Sequence, residues 1–256
     1  MTTVKTRKDL YNHLELKMTK SYEDLVDDSK YEKGNNLLKT YIIEANENIK
    51  NILKSNPNVL KIKETDDKNL YVVYDRDRHE YYVDCYDPYS KNSRFWLVHT
   101  TERSEVSDKF IDNIITNSMS HLDYLWLDRS KLLKLSKKHG ALRGIGIRHE
   151  NSIFSSIFKD NNSLNYISIK SWGELPEEIY NSLESVNALS IKNTTLEKTV
   201  DYNGEDRKII ETVYGTGKFS ARGNVSIEEH IAVVDDFREN YYNYLKLIED
   251  EYRMKY

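Results

Sequence analysis

Cysteine is nearly absent from this chain. Cys85 is the one thiol in 256 residues, so neither an intramolecular disulfide framework nor a cysteine-based zinc cage can be built. Prolines number only three, Pro57, Pro88 and Pro176, too few for a proline-rich linker. No run of about 18 apolar residues occurs, which excludes a helical membrane span on sequence grounds, and the first residues, MTTVKTRKDLYNHLELK, lack the apolar core of a secretory signal. Together these absences predict a cytoplasmic protein without membrane attachment.

Familiar reaction signatures are missing too. The seven histidines form neither H-x-x-x-H nor H-E-x-x-H, and there is no G-x-S-x-G elbow. The segment Gly215–Gly223 carries Lys218 and Arg222 but has neither P-loop nor dinucleotide spacing. The carboxylates Asp75, Asp77, Glu80, Asp84 and Asp87 are crowded in sequence. Glu80 and Asp84 on one strand would nevertheless stand about 13 Å apart, too far for one ion to bridge. Asp206-Arg207-Lys208 has the acid-x-Lys letters of a nuclease strand without an evident upstream acid. No catalytic set, metal-ligand set or cofactor is assigned, and a non-enzymatic role is expected.

What is abundant is tyrosine, at 20 residues, and charge, at 31% Asp, Glu, Lys and Arg with a formal net charge of −4. Tyrosine supplies a large apolar body with a polar tip, suited to a core or to an interface. The charge is sorted along the chain. Residues 129–149 hold seven Lys/Arg and no Asp or Glu, whereas residues 226–256 hold eight acids against four bases. Segregated charge of this kind marks either an anionic partner or a packed, dipole-matched element.

Periodicity predicts an α+β protein with an N-terminal helical hairpin over 7–30 and 35–55. The second helix rests on the stripe Leu38, Tyr41, Ile42, Ala45, Ile49, Ile52 and Leu53. A Tyr-rich antiparallel β-region follows, with 69–74 and 80–86 as a hairpin and 93–99 as a further strand. Tyr81, Val83 and Cys85 share the face of Tyr71 and Val73, which argues for an inert, buried thiol. A helix over 106–115 comes next, then a helix over 129–138 capped by Asp128 and stopped by Gly140 at its C′ position. The mixed α/β half has strands over 141–149, 164–170, 188–193, 208–214 and 217–222. It includes a helix over 176–185 and ends in a long amphipathic helix opened by Ser226 with Glu229. The division is 1–140 and 141–256, or one continuous domain.

The basic tract is the best ligand-facing candidate. Lys131, Lys134 and Lys138 share one helix face, and Leu142, Gly144, Gly146 and Arg148 share one strand face, with Arg143, Ile145, Ile147 and His149 on the other. Two glycines leave backbone approachable beside Arg148. The leading expectation is an accessory subunit that holds a nucleic-acid backbone through Lys131, Lys134, Lys138, Arg143 and Arg148, aided by Lys218 and Arg222. Protein contacts, or a homo-oligomer, would use the C-terminal helix or the Tyr-rich surface. Alternatives are a protein–protein assembly module in which the tract meets an acidic partner, and a metal-dependent nuclease whose carboxylates are dispersed.

Overall fold

Leu38–Ala45 is apolar or buried at almost every position, and it lies at the middle of the molecule. In the computed structural model, which describes residues 4–27, 37–89, 93–150, 166–173, 178, 181–182, 190–202, 204–222 and 226–251, this segment is strand β1. It follows helix α1 (Arg7–Asp27) and precedes the short helix α2 (Ile49–Ser55). The expected second helix of an N-terminal hairpin is therefore a strand followed by two helical turns. The cause is burial on both faces. Leu38 and Ile42 point to one face of the sheet, each into a core of its own, while Tyr41, Ile43 and Ala45 point into a third core on the other face. A strand covered on both sides loses its alternation, and its apolar residues then mimic a helical stripe.

The remaining strands are β2 (Val59–Glu64), β3 (Leu70–Asp75), β4 (Glu80–Asp84), β5 (Phe95–Thr100), β6 (Leu122–Tyr124), β7 (Ala141–Glu150), β8 (Tyr166–Trp172), β9 (Ser190–Tyr202), β10 (Glu205–Tyr214) and β11 (Lys218–Arg222). Helix α3 spans Ser104–Thr116, α4 Arg129–His139 and α5 Ile227–Glu251. The strands form one sheet in the order β2-β3-β4-β5-β1-β11-β10-β9-β7-β8, with β6 also paired to β1. Every described pairing is antiparallel, including those of the C-terminal half. The α+β class holds. Because β1 pairs with β11, strands from 1–140 and 141–256 share the sheet. Of the helix expected over 176–185, Glu178, Asn181 and Ser182 are helical and the rest lies outside the described residues.

The two sheet faces are covered differently. Helices α2 and α3 pack on β1 and β3–β5, where Tyr71, Val73, Tyr81, Val83, Cys85, Trp96 and Val98 meet Phe110, Ile111, Ile114 and Ile115. The shared face of Tyr81, Val83, Cys85, Tyr71 and Val73 is thus core, and burial drives the Cys85 thiol well above its ordinary pKa. On the opposite face lie α1, α4 and α5. Helix α1 closes over Leu38, Leu70, Val72 and Tyr82, and α4 and α5 close over Ile145, Ile147, Leu196, Val213 and Phe219.

Caps behave largely as their residues dictate. Asp128 accepts from the Lys131 N–H, and the Ser226 hydroxyl accepts from the Glu228 N–H. Gly140 differs from expectation: its φ of 174° and ψ of 178° are extended, not left-handed. Glycine is needed there because a Cβ would stand 2.7 Å from the Glu197 carbonyl oxygen on β9. Under α5, a buried polar chain links the sheet to the helix. Thr40 Oγ1 lies 2.8 Å from His99 Nδ1 and 2.7 Å from His230 Nε2, and His230 Nδ1 lies 3.0 Å from Glu211. These four residues hydrogen-bond one another, which fixes the register of α5 on β1, β5 and β10.

Candidate anion-binding groove

Alternation along β10 and β11 decides which side chains reach the α3 side of the sheet. Val213, Phe219 and Ala221 enter the cores under α4, α5 and α1, so Ile210, Thr212, Tyr214, Lys218, Ser220 and Arg222 face the other way. On β9, Thr194 bonds Ser136 of α4, whereas Thr195 bonds Thr212 across the opposite face at 3.0 Å. On β7, Ile145 and Ile147 are core, which leaves Gly144 and Gly146 on the Thr195 side. Among the described residues, no helix packs on this part of that face. A groove of about 750 Å³ lies there, lined by residues of β7 to β11.

Among the described residues, the lining contains Arg143, Arg148, Lys170, Lys192 and Arg222 and no carboxylate. In a protein of net charge −4, that concentration of positive charge sets this face apart. Hydrogen-bonding groups are interspersed: Ser168, Asn193, Thr195 and Thr212 also line it. The glycines permit close approach. A Cβ at Gly146 would fall 2.1 Å from Asn193 Oδ1, and one at Gly144 would fall 2.9 Å from Trp172 Cε3. Trp172 stands at the groove with 56% of its surface exposed.

The groove gathers only part of the expected set. Arg143, Arg148 and Arg222 line it. Arg143 was expected on the Ile145 face, but the register shift between Leu142 and Gly144 turns it to the other side, where it pairs with Glu197. Glu197 also takes Lys208, and these partners hold its carboxyl below the usual range, the Lys208 bond most of all. Lys218 is adjacent but spent. It is buried, bonded to both Asp108 oxygens at 2.6 and 2.8 Å, and lies near the rings of Tyr41 and Tyr214.

Lys131, Lys134 and Lys138 do not join the groove. Helix α4 packs on the opposite face of β9, β10 and β7. Lys138 and His139 both reach Asp236 of α5, and Lys131 sits over the Tyr244 ring. Lys134 is exposed on that side. The lysine stripe of α4 thus meets the acidic helix α5. Burial works to raise the Asp236 pKa, yet the bonds from Lys138 and His139 hold it below the ordinary carboxylate value.

Sequence reasoning missed Lys170, Lys192, Asn193 and Trp172. Lys170 and Trp172 share a strand parity with Ser168, a signal that could have been read, but Asn193 needs the pairing Gly146 to Asn193 to be placed. The tyrosines of the β-region point mostly inward: Tyr71, Tyr81 and Tyr82 are buried, and Tyr86 is the exposed one, under the Arg7 guanidinium. Of the carboxylates weighed for a metal, Asp84 is held by Arg7 through two bonds. Asp75, Asp77 and His79 have ligand atoms within 4.8 Å of one another. Asp75, however, accepts from the Asp77 and His79 N–H groups and contacts His79 Nδ1, so these atoms tie the β3–β4 turn.

Comparison with known sequences places this architecture. The family model described as "MJECL33-like protein" matches residues 1–256. The chain belongs to the MJECL33-like family. One curated relative, "Uncharacterized protein MJECL33" of Methanocaldococcus jannaschii, is 30% identical over an alignment 289 positions long, gaps included, which covers 96% of this chain and 68% of the relative. No solved structure matches. In this MJECL33-like chain, no described helix is long and apolar enough to cross a membrane.

Proposed function

We propose that this MJECL33-like protein binds a nucleic-acid backbone in the groove of β7 to β11, as a non-catalytic component. The observation that carries the reading is the lining itself: five cationic side chains and, among the described residues, no carboxylate. Phosphates are best held by such a mixture of guanidinium, ammonium and small polar groups. Arg143 shares its charge with Glu197, so the reading leans on Lys170, Lys192 and Arg222.

Binding through these groups releases counterions. For a single strand with two phosphates engaged, log K should fall with log salt at a slope of about −1.4. Fluorescence anisotropy with labelled oligonucleotides from low to moderate salt measures that slope. An affinity that is absent at low salt, or that ignores salt, contradicts the reading.

A further inference from the structure

Resting on the nucleic-acid reading of the groove, we infer that its occupant is an unpaired strand, one base of which stacks on Trp172. Trp172 ends β8 and pairs with Gly144 of β7. A Cβ at Gly144 would stand 2.9 Å from Cε3 and 3.2 Å from Cδ2 of the indole, so the six-membered ring lies over the bare glycine backbone. One side of the ring is thereby seated on the strand, and 56% of the residue is open to solvent at the groove. A large aromatic held in place and left exposed is a stacking platform, because every base offers a π-face.

Size selects against a duplex. A groove of about 750 Å³ falls within the range of small-ligand clefts and has room for about one or two nucleotides. A duplex keeps its bases stacked inward and could present one to Trp172 only by extruding it, at an energetic cost. A single strand has no such cost. Its phosphates would run past Arg148, Lys170 and Lys192 while a base leaves the strand to cover the indole. The groove offers no shape by which DNA and RNA differ, so the shared chemistry is a phosphodiester chain with free bases.

The test uses the full chain and four probes at low salt: a ten-nucleotide DNA strand, the RNA of the same sequence, the corresponding DNA duplex, and an abasic strand of equal length. Both single strands should bind more tightly than the duplex. The Trp172→Ala variant should lose about ten- to a hundredfold in affinity for them, as expected for one stacked base. Trp172→Phe should retain most of it and controls for folding. The abasic strand should bind wild type and Trp172→Ala alike. Gly144→Val, which displaces the ring from its seat, should weaken the strands with bases and spare the abasic one. A strong preference for one of the two single strands would assign the sugar. If the duplex binds as tightly as the single strands and Trp172→Ala changes nothing, the unpaired-strand inference is overturned while backbone binding stands. If none of the four probes binds, backbone binding itself fails and this inference with it.

Discussion

Lys39 shows how much an individual residue can reveal in this fold. It lies on β1, fully buried, with its ammonium donating to the backbone carbonyls of Leu37 and Glu102. Burial, aided by the charge of Lys218, lowers its pKa from 10.5 to about 8. The unfolded chain keeps that proton up to about 10.5, so between pH 8 and 10.5 the unfolded state binds more protons and stability should rise with pH. Below pH 8 the buried charge exerts its full destabilising effect. Denaturant titrations at pH 7, 8, 9 and 10 should show this rise in wild type and lose it in Lys39→Met; an identical profile in both proteins counts against the assignment. Gly140 is a second residue-scale case. Replacement by Ala should destabilise by about 1–3 kcal/mol, through the clash with the Glu197 carbonyl rather than through backbone strain. A urea midpoint unchanged by Gly140→Ala would show that β9 yields at no cost.

At the scale of elements, the pairing of α4 with α5 explains half of the basic tract. Asp236 binds both Lys138 and His139, and His139 stacks on Phe237 at 6.3 Å. Loss of this doubly bonded, mostly buried carboxylate should cost about 1–3 kcal/mol at neutral pH. Its pKa is lowered in the fold, so the stabilisation is complete above the unfolded carboxylate value and vanishes as pH falls through the folded one. The difference in unfolding free energy between wild type and Asp236→Ala should therefore shrink on acidification below about pH 4; a pH-independent difference would assign the loss to packing alone.

Elements also show where sequence patterns suffice. The β3–β4 hairpin was legible from the polar turn at 75–79 between two short runs, and α3, α4 with its Asp128 cap, and the long α5 were legible because each helix buries one face and leaves the other wet. Strand β1 was not, because both its faces are buried, and β6 was missed because three residues carry no period. The strand parity of β7 was legible up to the register shift at Leu142 and Gly144, which no local pattern announces, and this shift is what moves Arg143.

For the whole molecule, the decisive fact is which side of the sheet each charge occupies. Sequence placed Lys131, Lys134, Lys138, Arg143 and Arg148 in one tract, and the fold divides that tract between two faces. One part meets the acidic helix α5; the other joins Lys170, Lys192 and Arg222, which come from strands distant in sequence. Contiguity in sequence could not show this, since β9 separates β7 from β10 and α4 crosses to the far side. It follows that a basic stretch and a basic surface are different objects here, and the proposed binding rests on the second.

That separation is tested most directly by charge reversal on the two faces, measured as the affinity for a labelled single strand at fixed low salt. Lys170 and Lys192 are exposed at the groove, and Lys134 is exposed on α4. Lys170→Glu/Lys192→Glu should weaken binding by about a hundredfold or more and flatten the salt dependence by about two phosphate contacts. Lys131→Glu/Lys134→Glu changes charge by the same amount on the other face and should leave affinity within about threefold of wild type, beyond the non-specific effect of net charge. Equal losses in the two variants, or a loss confined to the α4 pair, would contradict the placement of the binding surface in the β7 to β11 groove.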